Sequence, residues 1–466
     1  MSRAYEGSHF KMQQFLLKAL RGERVVVSAI GGSITEGHMV YQDEVWFKQF
    51  YNWLQDFIGN DVDIVYSKGG VPAVGSDYFS LCFPRHLPAD SDLVLVELAV
   101  NDEGLPEHVE NMENLIRGLL DLEKDPAVML VEAMAFSTGG MGGGGGRMHL
   151  PVAQYYDVPV VNQRHPIANH FGRFPELVAH YFAIAWGEVD TRHMNKRGHR
   201  DLGMLVAAFI QHIACEMVAD PDFAVPTAPT KPSITSGLLP PHGTAQSDVP
   251  QDVDVELAST IAIEQYAQLR SVQAGWPEQA RSWALENDPT GLLMPGMFTS
   301  PHEYGIMPRQ TVLDGWNPSL DAVVPRIHPQ CLTSRTKDRA YMLTPIATQG
   351  WMGWAHESHP DKPYLVAQVP GSWAKFQVTT SLGTVKMYSL KSGSLGLGIA
   401  ECWIGDDRHL SVEINGYWTS NANIGRFDVI REGLPAGEHI LTCELLHKTS
   451  DPEGGTDFRM ISIMSI

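Results

Sequence analysis

Cysteine is scarce: Cys82, Cys215, Cys331, Cys402 and Cys443 are the only five in a chain of 466 residues. They are odd in number, widely spaced and form no Cys-x-x-Cys pair, so their spacing suggests neither a disulfide framework nor a zinc site. Basic charge is short as well. Against 54 acidic residues stand 34 Lys and Arg, for a net charge of −20, and no Lys/Arg cluster interrupts the acidic balance. That argues against a nucleic-acid partner and against an anionic membrane surface. No apolar run reaches the ~18–20 residues that cross a bilayer, so no membrane segment is expected. The stretch Met1-Ser2-Arg3-Ala4-Tyr5-Glu6-Gly7 lacks the apolar core of a signal peptide. The protein is then cytoplasmic as written, or secretory with its leader removed. No Asn starts an Asn-x-Ser/Thr sequon, a weak sign of a non-glycosylated location. His149, His165, His170 and His193 show no HExxH or HxxxH spacing, and no GxxxxGK[ST] loop is present. No metal or other cofactor is implied.

What the chain does have is apolar content, 44% of its residues with 11 Trp. That suffices for more than one core at a length beyond the usual single domain. The first strong signal is Val25-Val26-Val27-Ser28-Ala29-Ile30, stopped by Gly31-Gly32 and followed by Ser33-Ile34-Thr35-Glu36-Gly37. A short apolar run closed by a turn reads as a buried strand. Ser33 then stands where that strand ends, the edge at which open α/β sheets bind ligands. A helical pattern over 8–22 precedes it. Another over 44–59 follows, with Val45, Trp46, Phe50, Trp53, Leu54, Phe57 and Ile58 on one face. Further strands are expected at Val62–Ser67, Asp92–Val100, Ala127–Met134 and Val158–Asn162, and helices at 107–124, 174–184 and 195–219. Such alternation is the signature of a parallel sheet with helices on both faces. Gly139, Gly140 and Gly142 to Gly146 read as a mobile loop rather than a packed element.

Composition changes at Pro221. From there to Gln251, Pro226, Pro229, Pro232, Pro240 and Pro241 lie among Thr, Ser and Gly, as in a linker or surface strap. A helical stretch at about 255–285 and an irregular Pro-rich segment to about 325 follow. Beyond Cys331 short β runs recur (Tyr364–Val369, Ala374–Thr379, Val385–Leu390, Leu397–Ile404, His409–Ile414, His439–Leu446), separated by turn residues as in a β-sandwich. Residues 1–222, 223–325 and 326–466 are thus expected to form a catalytic domain, a connector and a β domain. Trp351, Trp354, Trp373, Trp403 and Trp418 serve its core or, where exposed, a sugar-stacking platform.

Three positions line up with Ser33. Asn101 ends the strand Asp92–Val100; the loop 68–76 ends the strand Val62–Ser67; Asp190-Thr191-Arg192-His193 lies ahead of the last helix. Acyl transfer needs these residue types. A serine hydroxyl is a poor nucleophile until a base takes its proton, and imidazole suits that near neutrality. A carboxylate fixes the imidazole tautomer, and Asp190 and His193 can face one spot from a single loop. The tetrahedral intermediate needs donors, from the Ser33 N–H, an N–H of loop 68–76 and the Asn101 amide. The alternative for Asn101 is a cap on the following helix. His199 reads as a packing residue.

Gly31-Gly32-Ser33-Ile34-Thr35, the glycine-bearing second block, Val100-Asn101-Asp102 and Asp190-x-x-His193 resemble the four blocks of the SGNH (GDSL-type) hydrolases over roughly residues 22–217. The resemblance implies a flavodoxin-like three-layer α/β/α fold and a Ser33-His193-Asp190 triad. Gly32 stands where the pattern has Asp, the second-block Asn is replaced near Ser67-Lys68, and the oxyanion glycine aligns with Ala73, or with Gly75 after a small shift. Pro72–Ser80, Tyr155–Pro159, Gly416-Tyr417-Trp418 and Thr449–Gly455 resemble fungal capsule-associated-protein-like esterases of the SGNH type. The expectation is an α/β hydrolase domain with a C-terminal β-sandwich, cleaving a short acyl ester such as acetyl on a small molecule or carbohydrate. An acyltransferase with the same triad, and a carbohydrate-binding or scaffold protein with a vestigial one, are the alternatives. The oligomeric state is open.

Overall fold

In the computed structural model, which describes residues 2–59, 61–137, 143–219, 329–420 and 423–466, the β-branched run at Val25 is buried at every position. It is one strand of a six-stranded sheet: β1 (Arg3–Tyr5), β2 (Val25–Gly31), β3 (Ile64–Gly70), β4 (Leu93–Glu97), β5 (Ala127–Glu132) and β6 (Val160–Asn162). The spatial order is β1-β6-β5-β4-β2-β3. Strands β2 to β6 run parallel, and β1 joins the β6 edge antiparallel. Counted from the first parallel strand, this is the flavodoxin-like order.

Alternation along the strands sorts side chains to two faces. Val25, Val27 and Ala29 pack with helices α1 (Phe10–Leu20), α3 (Trp46–Ile58) and α9 (Lys196–Ala219); the one-turn α2 (Ser33–Glu36) lies at the strand ends. Ile30, Val94, Val96 and Leu130 pack with α4 (Ser76–Cys82), α5 (Glu107–Leu120) and α6 (Gly145–Tyr155). Full burial of each large apolar side chain contributes roughly 1.5–3 kcal/mol. By length and composition α9 could cross a membrane, but Leu202, Val206, Phe209, Ile210 and Ile213 are buried in the core.

The C-terminal part is a sandwich of two antiparallel sheets. Its strands are β9 (Gln330–Thr333), β10 (Ala347–Gln349), β11 (Trp351–His356), β12 (His359–Ala367), β13 (Trp373–Thr380), β14 (Val385–Lys391), β15 (Ile399–Ile404), β16 (Val412–Asn415), β17 (Ile424–Arg431), β18 (Gly437–Leu445) and β19 (Phe458–Ser465). One sheet runs β10-β13-β18-β15-β16, the other β11-β12-β19-β14-β17 with β9 beside β19. Phe376, Val378, Leu441, Met460 and Ile463 fill the space between them. Tyr364, Val366, Tyr388, Leu390 and Ile461 belong instead to the cluster under α4 and α5, so the sandwich docks on that face. Trp351 is buried in it and Trp354, Trp373, Trp403 and Trp418 are half-buried.

Several expectations need correcting. The pattern at 174–184 is a short α8 (Val178–Tyr181), following α7 (Arg164–Arg173), and then a hairpin of β7 (Phe182–Ala185) and β8 (Glu188–Met194). Its two-residue turn, Trp186-Gly187, has positive φ at both positions, the twist that joins antiparallel strands. Gly145 and Gly146 begin α6 and are buried against Asp102 and Glu132; residues 139–142 of the glycine run lie outside the described residues. So does the connector expected at 223–325. The cysteines do form disulfides. Cys402 and Cys443 face each other on β15 and β18, and Cys82 joins Cys331 across 249 residues of sequence. Only the fold brings these partners together. Cys215 is free and exposed.

Candidate active site

Gly31 ends β2, and its register partners are Gly70 on β3 and Glu97 on β4. The segments leaving this row therefore share one edge of the sheet. Ser33 opens α2 just after Gly32, so its N–H is one of the unpaired donors at a helix start. The Ser33 hydroxyl donates to His193 Nε2 at 2.9 Å, and His193 Nδ1–H donates to Asp190 Oδ2 at 2.7 Å. Asp190 Oδ1 accepts the backbone N–H of Arg192 at 2.8 Å and of His193 at 3.2 Å. Both residues sit on β8 rather than on a free loop, and the strand fixes their spacing. Ser33 is 6% exposed.

Burial pulls the His193 imidazole below its ordinary 6.5, and Asp190 only partly offsets this. Burial acts to raise Asp190, but the hydrogen bonds from His193 and from the Arg192 N–H outweigh it and leave the carboxylate below its usual range. At neutral pH the pair is therefore a neutral imidazole held by a carboxylate.

The Asn101 amide donates to Val74 O at 2.6 Å. It also lies so close to residue 32 that a Cβ there would collide with its nitrogen. A Cβ at residue 32, where the SGNH pattern carries Asp, would make the Asn101 amide shift. Asn101 does not cap α5, whose cap residue is Pro106. Strand β3 extends through Gly70, so the loop expected at 68–76 is Val71–Gly75. Val71 N–H donates to Gly31 O at 2.8 Å, holding the loop beside the Ser33 turn. Ala73 has φ 63°, a left-handed conformation costing about 1–2 kcal/mol for a residue with a Cβ. Gly75 caps α4 and turns its N–H towards the Tyr388 hydroxyl. His199 is buried and accepts the Trp46 N–H at Nδ1, the packing role read from the sequence.

A model of the GDSL-like Lipase/Acylhydrolase family matches residues 29–200. The chain carries a GDSL-like lipase/acylhydrolase domain. By class this SGNH-type domain is a carboxylic ester hydrolase, and Ser33, the Val71–Gly75 loop, Asn101, Asp190 and His193 all fall within the matched span. Two crystal structures of a two-domain esterase (CEX) active on acetylated mannans superpose over 100% of the chain with TM-score 0.61 at 16% identity. The match covers 96% of that protein in its co-crystal with mannopentaose and 97% in the other structure. At this identity the likeness is one of fold, and it extends through the SGNH domain and the β domain together. No curated protein matches the chain.

Three groups escaped the sequence reading. His38 stacks edge-on against His193 with ring centroids 4.5 Å apart, and His359 of the β11–β12 hairpin lies 6.4 Å beyond it. Burial, then the neighbouring His193, Lys362 and His359, lowers the His38 imidazole to about 4. The hairpin that brings His359 here closes through the His356–His359 pair. Glu97 lies buried beneath the turn that carries Ser33 and accepts the Thr35 hydroxyl at 3.0 Å; burial raises its carboxyl to about 8. Arg426 and Tyr388 reach the SGNH domain from the β-sandwich. His38 had a signal, five residues after Ser33 in the same turn; the others had none, because their partners are distant in sequence.

Proposed function

We propose that this protein is a serine esterase that removes a short acyl group, acetyl foremost, from a carbohydrate. The observation that carries the reading is the hydrogen-bonded line from Ser33 Oγ through His193 to Asp190. In this mechanism His193 Nε2 takes the Ser33 proton as Oγ attacks the ester carbonyl. Asp190 stabilises the imidazolium and fixes its tautomer. The negative charge that develops on the carbonyl oxygen is met by the Ser33 N–H, the Ala73 N–H and the second hydrogen of the Asn101 amide, whose first is held by Val74 O. Gly75 is the weaker candidate for the loop donor, because its N–H faces Tyr388. Collapse expels the sugar alcohol, with His193 returning the proton to it, and water repeats the sequence to release the acid.

The low exposure of Ser33 favours a small acyl group. A carbohydrate leaving group is supported by the two-domain fold shared with an esterase active on acetylated mannans. The row of rings from His38 through His359 and His356 to Trp354 supports it too, since flat rings offer stacking surface to a sugar. The resemblance of Pro72–Ser80 and Gly416-Tyr417-Trp418 to fungal capsule-associated-protein-like esterases points the same way. Both disulfides support folding in an oxidising compartment. The test is a panel of p-nitrophenyl esters and acetylated oligosaccharides with Ser33→Ala as control. Acetate release that falls to background in the variant is expected; release that persists, or acyl transfer to a sugar acceptor exceeding free acid, contradicts the reading.

A further inference from the structure

We propose that the β-sandwich is part of the catalytic machinery: Arg426 and Tyr388, with the Gly425 N–H, act as positioning residues for the loop that supplies the Ala73 donor. The inference rests on the esterase reading and deepens it. Its starting point is that Ala73 holds a left-handed backbone although it carries a Cβ. A conformation of that kind persists only where its surroundings over-determine it. The loop is held within its own domain at Val71, by Gly31 O, at Val74, by the Asn101 amide, and at Ser76, whose N–H donates to Asp102 Oδ1 at 2.9 Å. The strained residue itself is held from the other domain: Gly425 N–H on β17 donates to Ala73 O at 3.1 Å.

The same strand and its neighbour hold helix α4, into which the loop runs. Tyr388 on β14 donates its hydroxyl to Asp77 Oδ1 at 3.0 Å, and Arg426 stands 3.7 Å from Asp77 Oδ2 and pairs with Glu103. Glu103 in turn binds His108 at 3.1 Å, and His149 donates to Asp102 at 2.7 Å. Asp77, Asp102, His108 and Tyr388 are all buried, so each charge there depends on its partner. Gly425 has no side chain to spare, since a Cβ would run into the Tyr388 ring. Helix α4 is buried at all seven residues. Besides Asp77 it sends Tyr78 to Thr333 at 2.9 Å and Cys82 into the disulfide with Cys331. The element that ends the oxyanion loop is therefore anchored to the sandwich along its whole length.

If these contacts position a donor that acts only as charge develops, their loss lowers turnover and spares substrate binding. The experiment uses the full chain with Arg426→Gln, Arg426→Lys and Tyr388→Phe, p-nitrophenyl acetate as substrate and a fluorophosphonate to count competent Ser33. Expected are a kcat per labelled site at least tenfold lower in Arg426→Gln and Tyr388→Phe, KM within about twofold, and most of the rate recovered in Arg426→Lys. The rate of labelling should fall with kcat while its final stoichiometry stays at that of the wild type. A purely structural role predicts the reverse, fewer labelled sites with unchanged kcat per site, and that result overturns the proposal. A wild-type chain that neither labels nor turns over an ester fails the esterase reading itself, and the inference falls with it.

Discussion

Glu97 is a carboxyl kept from water directly beneath the turn that carries Ser33, and its state gives the molecule a pH signature. In the unfolded chain it loses its proton near the ordinary 4.5, whereas in the folded protein burial holds the proton to about 8. Between those values the folded state binds more protons, so this group costs stability as pH rises through the window, and the cost levels off above it. Glu97→Gln should gain stability over wild type between pH 5 and pH 8, read by urea denaturation at each pH; a gain independent of pH would contradict the burial argument. In the proposed mechanism His193 sets the activity profile. Its imidazole must be neutral to act as a base, and burial places its pKa below 6.5. The acidic limb of kcat/KM should therefore fall below 6.5. Asp190→Asn should lower that limb further, since the carboxylate opposes the burial effect, and cut kcat by orders of magnitude through loss of the tautomer. In the proposed mechanism the Asn101 amide acts on the oxyanion rather than the ground state. Asn101→Ala should cost ~10²–10³ in kcat with KM little changed. A KM effect alone would return the residue to a binding or structural role.

Elements were legible where one physical signal dominated. The apolar runs at Val25, Leu93 and Ala127 are strands because a parallel sheet covered on both faces needs little else, and the Trp46–Ile58 face is a helix for its periodicity. The same logic failed where backbone geometry decided. The β7–β8 hairpin turns at Trp186-Gly187, and a non-glycine with positive φ left no readable mark. The glycine run misled in the opposite sense. Two of its members are the buried first turn of α6, where Gly145 faces the Cβ and carbonyl of Asp102 and the carbonyl of Ala99. Backbone cannot yield as a flexible side chain can. Gly145→Val should thus cost about 1–3 kcal/mol or more by overpacking, measured as a lower denaturation midpoint. An unchanged midpoint would restore the reading of this stretch as a loop.

At the scale of the whole molecule, the four ordered blocks pointed to Ser33, Asp190 and His193 because acyl transfer constrains residue type and order, and the fold gathers these three side chains into one hydrogen-bonded line. Nothing local announced the union of the two domains. Cys82 and Cys331, Tyr78 and Thr333, and Asp77 and Arg426 are pairs whose members lie hundreds of residues apart, and only burial against a common face joins them. Cys82→Ser with Cys331→Ser should cost about 2–5 kcal/mol, as expected for a cross-link closing a long loop, and, in the proposed mechanism, should slow turnover because α4 follows the Val71–Gly75 loop. Loss of stability with unaltered kcat would separate the disulfide from the site. Acylation of Ser33 by an ester, and its release by water through His193, is tested most directly by mass spectrometry of the protein quenched during turnover of an acetylated substrate. One acetyl adduct per chain is expected, mapped to Ser33, formed and discharged by the wild type, accumulating in variants that impair deacylation, and absent in Ser33→Ala. Turnover with no adduct at Ser33, or an equal adduct in Ser33→Ala, would contradict it.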